Sequence, residues 1–122
     1  GFEEAYRAVH EAQVRAIKAA GPGVRASDLD RIARDHLASR GLDAFFGHGL
    51  GHGVGMEVHE APTVSGPSED ILEEGMVITV EPGVYFDTRF GIRLEDMVVI
   101  TDNSCKSLTN IDKGVVRIVS KR

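Results

Sequence analysis

The sequence predicts an α+β fold: two helices first, then several strands. Three observations carry this. Apolar residues recur at helical spacing only up to about residue 40. Beyond that the apolar runs are short, partly β-branched and separated by Gly and Pro. No repeat or low-complexity stretch interleaves the two kinds of element, and helices segregated from strands are the α+β pattern.

The first helix spans about Glu3 to Ala20, with Phe2, Tyr6, Val9, Ala16, Ile17 and Ala20 at helical spacing. Gly21-Pro22-Gly23 ends it with two kinds of breaker. Ser27 is the expected N-cap of the second helix, and Asp28 and Asp30 suit its first turn. Leu29, Ile32, Ala33 and Leu37 mark its buried face, and Gly41 suits its exit. His10 and His36 lie on these helices and read as structural or solvent-exposed. Among the strands, Met76–Val80 is a short apolar run that enters Glu81-Pro82-Gly83, where Pro and Gly are expected to break the ladder and force a turn. A second extended segment starts near Val84, a third runs from Gly91 to Thr101, and Val115–Val119 is a candidate last strand.

Between helices and strands lies Gly47-His48-Gly49-Leu50-Gly51-His52-Gly53-Val54-Gly55-Met56-Glu57-Val58-His59. Every second residue from Gly47 to Gly55 is Gly, and each would cost about 1 kcal/mol in a helix interior. An irregular strand is therefore expected, with His48 and His52 on the same side. The glycines leave room for a ligand or for close backbone approach. The zinc-protease helix motif needs Glu after its first His; Gly49 stands there, so that motif is rejected. A glycine-rich loop with incidental histidines is the plain alternative.

Composition narrows the classes. The chain has 122 residues, 42 % hydrophobic and 27 % charged, and reads as one domain over 1–122. A net charge of -5 with no basic stripe argues against nucleic acid as a partner. No apolar run is long enough to span a bilayer. The lone Cys105 fits a reducing compartment. The first residues lack a signal peptide's pattern, so the cytoplasm is the expected location.

Two later carboxylates give the histidines a chemistry. Glu81 ends an apolar strand on the face of Val77 and Thr79, and burying it there is costly without a partner. Glu95 is expected in the same difficulty, among Ile92, Leu94, Met97, Val98 and Val99, on the face of Arg93. A salt bridge, Arg93 to Glu95, is one answer. The other is that His52, Glu81 and Glu95 converge on metal. One imidazole with two carboxylates suits manganese, cobalt or iron better than a structural thiolate zinc site.

Three motifs in order carry a resemblance: Gly47 to His59, then Val80-Glu81-Pro82-Gly83-Val84-Tyr85, then Gly91-Ile92-Arg93-Leu94-Glu95-Asp96. Together they resemble the pita-bread metallopeptidases, in the branch of Xaa-Pro aminopeptidase and prolidase, over nearly the whole chain. The resemblance implies two helices before a mainly antiparallel curved sheet, half of a pita-bread domain. It implies His52, Glu81 and Glu95 as metal ligands, with Glu95 bridging two divalent ions, Mn or Co before Zn or Fe. It implies His59 as proton shuttle and hydrogen-bond donor to the tetrahedral intermediate, and His48 in the substrate pocket. Arg93 would support a ligand or meet a substrate carboxylate. The implied substrate is a peptide with proline at its second position.

One departure stands against these matches. The family's earlier half supplies two aspartate ligands on a β-hairpin, in a segment ending Asp-x-Thr-Arg, and this sequence has no such segment. Asp28, Asp30 and Asp43 stand in helical or loop context. The expectation is the C-terminal half of a catalytic domain, inactive alone, whose missing partner is the N-terminal half. A homodimer is another way to cover the exposed face. The alternative function is a non-catalytic half-domain that binds a peptide or protein.

Overall fold

The computed structural model describes residues 1–55 and 60–109. Helix α1 spans Phe2–Ala19 and α2 spans Ala26–Ser39. The buried face of α1 is Ala5, Ala8, Val9, Ala12, Gln13 and Ala16, while Phe2, expected on that face, is 42 % exposed. Ser27 is not the cap of α2. Arg25 holds the N-cap position and makes no side-chain cap hydrogen bond. The cause is tertiary: Arg25 forms a β-bridge with Ile71, and the Ala26 N–H donates to the Asp70 carbonyl at 2.9 Å. Another segment thus satisfies an orphan donor of the helix start. Gly41, at φ +72°, terminates α2 as expected. A 3-10 turn, Asp43–Phe45, follows. His36 is buried, with Nε2 at 3.0 Å from Glu11 Oε1, a structural histidine that ties α2 to α1.

The strands are β1 Gly51–Gly53, β2 Glu60–Val64, β3 Val77–Val80, β4 Gly83–Phe86, β5 Phe90–Arg93, β6 Asp96–Ile100 and β7 Cys105–Ser107. Five of them form one sheet in the order β2-β1-β3-β6-β7, antiparallel at every pairing. The β4–β5 hairpin is a separate two-stranded sheet. Two expectations change here. The run from Gly91 to Thr101 is two strands, broken at Leu94-Glu95. Glu81-Pro82 makes no turn and instead carries the chain from the large sheet into the hairpin. The reason is register: β3 pairs with β6 up to Val80↔Asp96, and β4 pairs with β5 from Gly83↔Arg93. Residues 81–82 and 94–95 cross together from one sheet to the other, and Pro82 has no N–H with which to continue a ladder. Val115–Val119 lies outside the described residues.

The helices cover one face of the large sheet. Ile78, Val80, Val98 and Ile100 are buried in the core with Leu29, Leu37, Leu50 and Leu72. The other face carries Val77 and Val99, directly paired and half-buried, and Met97, 37 % exposed. Period-two alternation puts Glu81 on the side of Val77 and Thr79.

Candidate functional site

The site is assembled on the β1–β3 pairing. A Cβ on Gly51 would overlap the Thr79 carbonyl, so only glycine lets β1 lie this close to β3. A Cβ on Gly49 would come within 2.9 Å of the Ser65 Cβ. These two glycines serve close approach, whereas the space around Gly47 is open.

His52 follows Gly51. Its N–H donates to Thr79 Oγ1 at 3.1 Å, and its Nδ1 lies 2.9 Å from the Gly53 carbonyl oxygen. A carbonyl only accepts, so Nδ1 carries the hydrogen and, in the neutral ring, Nε2 presents a lone pair. That Nε2 is 3.4 Å from Glu81 Oε2. The separation exceeds the about 2.7–2.9 Å of a charge-assisted N–H···O bond. Glu81 is held by its own N–H, which donates to the Leu50 carbonyl at 2.7 Å. Its side chain is only 14 % exposed, and Oε2 is buried and receives no hydrogen bond among the described residues. Arg93 Nε stands 4.0 Å from Glu81 Oε1. With the ring neutral, a cation between His52 Nε2 and Glu81 Oε2 would satisfy both groups. The Gly53 carbonyl, accepting from Nδ1, fixes the ring's orientation and leaves Nε2 toward Glu81, as the outer hydrogen bond of a metal-ligating histidine does.

The other expected residues fall differently. Glu95 is exposed, in the two-residue link between β5 and β6, because that link is not a buried strand. Among the described residues the ion contact of Arg93 is with Glu81 and not with Glu95. His48 sits in a bend, not in a strand. Its Nδ1 is 2.7 Å from the Gly49 carbonyl oxygen, so Nε2 accepts from the Tyr85 hydroxyl at 2.8 Å. Both rings therefore reach the chain between Glu81 and Tyr85. His59 lies outside the described residues. Among the described residues, no three His, Cys, Asp or Glu side chains stand close enough to hold one ion. His52 and Glu81 are the two expected site residues that the structure brings together, and their chemistry fits a divalent metal.

Four supporting residues were not singled out from the sequence as site residues. Asp30 is buried, not a first-turn charge at the surface: it accepts from Arg34 Nε at 3.0 Å, from Arg34 Nη2 at 3.1 Å and from the Leu50 N–H at 3.1 Å. Arg34 also donates to the carbonyls of Phe46 and His48, at 2.9 and 3.0 Å, and its guanidinium lies 4.2 Å from the Phe46 ring centroid. This pair staples the chain on both sides of His48. Its signal was Asp and Arg four apart beside the apolar stripe of α2. Gln13 carries the same kind of signal, a polar residue on the predicted buried face of α1. Tyr85, 41 % exposed, closes the second motif, which by itself assigns it no role.

The sequence model of metallopeptidase family M24 matches residues 2–102. The chain is 48 % identical over 114 residues to a Xaa-Pro dipeptidase of Pyrococcus horikoshii, covering 93 % of this chain and 32 % of that protein. The crystal structure of the prolidase from Pyrococcus horikoshii OT3 superposes with a TM-score of 0.91 at 48 % identity, over 93 % of this chain and 33 % of the other. That of an X-Pro aminopeptidase from Thermotoga maritima gives 0.90 at 44 %, over 93 % and 32 %. The chain spans about a third of the length of these relatives. The fold is a pita-bread half-domain, as the motifs implied.

Proposed function

The chain belongs to metallopeptidase family M24, and we propose that it contributes half of a dinuclear metal site that hydrolyses Xaa-Pro peptide bonds. The observation that carries this is the His52–Glu81 pair: a ring nitrogen oriented by Gly53 and a buried carboxylate oxygen that has no donor among the described residues, 3.4 Å apart. His52, Glu81 and Glu95 would hold the metal, with Glu95 bridging and the remaining ligands supplied by a half carrying two aspartates. Two divalent ions, Mn or Co before Zn or Fe, would acidify a water and polarise the scissile carbonyl.

The chain's own residues do the rest. Glu81 and Glu95 leave the two crossing links side by side, and the open face of Val77, Met97 and Val99 is where the other half would pack. Arg93 keeps Glu81 from standing as an isolated carboxylate, or meets the carboxylate of a bound peptide. His48, with Tyr85 on its Nε2, would line the substrate pocket. His59 would pass a proton and donate to the oxyanion. The cytoplasmic location rests on the lone Cys105; among the described residues no helix is long and apolar enough to cross a membrane. That only these two expected ligands meet among the described residues favours one second reading, a non-catalytic half-domain that binds a peptide or protein.

The test uses the natural full-length protein with Mn²⁺ and a Xaa-Pro dipeptide. His52→Ala and Glu81→Gln should each lower hydrolysis at least a hundredfold, on the order of the several kcal/mol that metal activation supplies. Hydrolysis unchanged in both would overturn the catalytic reading. Peptide binding without hydrolysis by the wild type would establish the second.

A further inference from the structure

Gln13 is a buried polar side chain on an alanine-lined face of α1, 1 % exposed. Its Nε2 lies 3.1 Å from the Val80 carbonyl oxygen and 3.2 Å from the Leu94 carbonyl oxygen. Both partners only accept, so the amide nitrogen must face them and gives one hydrogen to each.

The two carbonyls have a particular place. Val80 is the last residue of β3 and Leu94 the first after β5. Between the Val80↔Asp96 and Gly83↔Arg93 pairs neither regular ladder continues, and the links are tied by one backbone bond, Leu94 N–H to the Pro82 carbonyl at 3.2 Å. Here the two sheets part. Val80 is still paired with Asp96, whereas the half-buried Leu94 lies past the last pair of β5, where a carbonyl costs stability unless a donor reaches it. Gln13 supplies both donors from one amide. The residue after Val80 is Glu81, and the residue after Leu94 is Glu95.

We propose that Gln13 is a positioning residue for the metal site: its carboxamide bridges the two links and sets the separation at which Glu81 and Glu95 leave the backbone. The proposal rests on the reading of those glutamates as metal ligands. The Gln13 amide stands behind the ligands' main chain, where it touches neither metal nor substrate. Gln13→Met keeps side-chain length and volume but has no donor. Gln13→Asn keeps the donors on a side chain one methylene shorter, which cannot reach both carbonyls.

The experiment titrates the natural full-length protein with Mn²⁺ by calorimetry and records the Mn²⁺ electron paramagnetic resonance spectrum, where exchange between two ions reports their separation. Circular dichroism fixes a temperature at which each variant is folded. Gln13→Met should bind the second Mn²⁺ about 10–100-fold more weakly, the range for residues that hold metal ligands in place, and its exchange signal should change. Gln13→Asn should show the same loss with a smaller change in melting temperature, and it serves alone if the Met variant does not fold. A residue needed only for stability would lower the melting temperature and leave affinity and spectrum as they are. Folded variants that bind both ions within twofold of the wild type would overturn the proposal and leave the metal reading intact. A wild type that binds no Mn²⁺ would overturn both.

Discussion

Arg34→Met should destabilise the fold by about 3 kcal/mol. The substitution keeps an unbranched apolar stem and removes the guanidinium. Asp30 then loses two of the three donors that satisfy it, although its side chain is only 2 % exposed. Leaving one partner of a buried ion pair behind costs about 3–5 kcal/mol. Arg34 itself is 35 % exposed, so water can reach part of the vacated space and the lower end applies. The half-exposed His48 carbonyl can also turn to water, while the cation–π contact with Phe46 adds about 0.5–1 kcal/mol at such a site. For a chain of this size, about 3 kcal/mol lowers the melting temperature by roughly 10 °C. Urea unfolding of the dilute chain, followed by circular dichroism, measures the change. Asp30→Asn removes the charge and keeps an acceptor for the Leu50 N–H, so the double variant should be less destabilised than the sum of the singles. Amide exchange at Leu50 should rise in Arg34→Met. A loss below 1 kcal/mol, or strict additivity with Asp30→Asn, would refute the view that this pair staples the His48 segment.

Three further outcomes follow from the same geometry. The chain by itself should bind Mn²⁺ weakly and release nothing from a Xaa-Pro dipeptide, because two divalent ions bring four positive charges and Glu81 and Glu95 offset two; tight binding of two ions in a calorimetric titration would contradict this. The chain alone should also self-associate, as a symmetric dimer or without defined symmetry. Among the described residues its β2 and β7 edges are unpaired within the five-stranded sheet, and Met97 is exposed on the open face; a monomer at high micromolar concentration in sedimentation equilibrium would show otherwise. Finally, the hydrogen bond from His36, with the charge of Arg40 beside it, holds the Glu11 carboxyl below its ordinary range. A lowered folded value means stability that is present above the unfolded carboxylate range and lost as pH falls through the folded value. Glu11→Gln should therefore flatten the acid limb of the stability–pH curve, and an unchanged limb would refute the assignment.

The residues that announce themselves by type were legible in the sequence. Helical apolar spacing marked both helices, and Gly41 marked an exit that the structure makes at positive φ. What escaped was set by tertiary register. Nothing local says that β3 and β6 stop pairing at Val80↔Asp96, so Glu95 was expected on a buried strand and not in a link. Ser27 has good cap chemistry, but the Asp70 carbonyl reaches the helix start one residue earlier, at Ala26. Around His48 and His52 the glycines read equally well as open space or as close approach. Gly51 resolves to the second only because Thr79 arrives from 28 residues further on. The supporting side chains share one signature: Gln13 and Asp30 are polar residues on faces that periodicity says are buried.

In the function proposed, His52 and Glu81 face each other because a metal ion belongs between them. Anomalous diffraction at the manganese edge, from crystals of the natural full-length protein grown with Mn²⁺, tests it most directly. Anomalous peaks are expected at ligand distance from His52 Nε2 and from the carboxylates of Glu81 and Glu95. Anomalous peaks confined to other residues, with His52 Nε2 hydrogen-bonded to a protein donor, would contradict it.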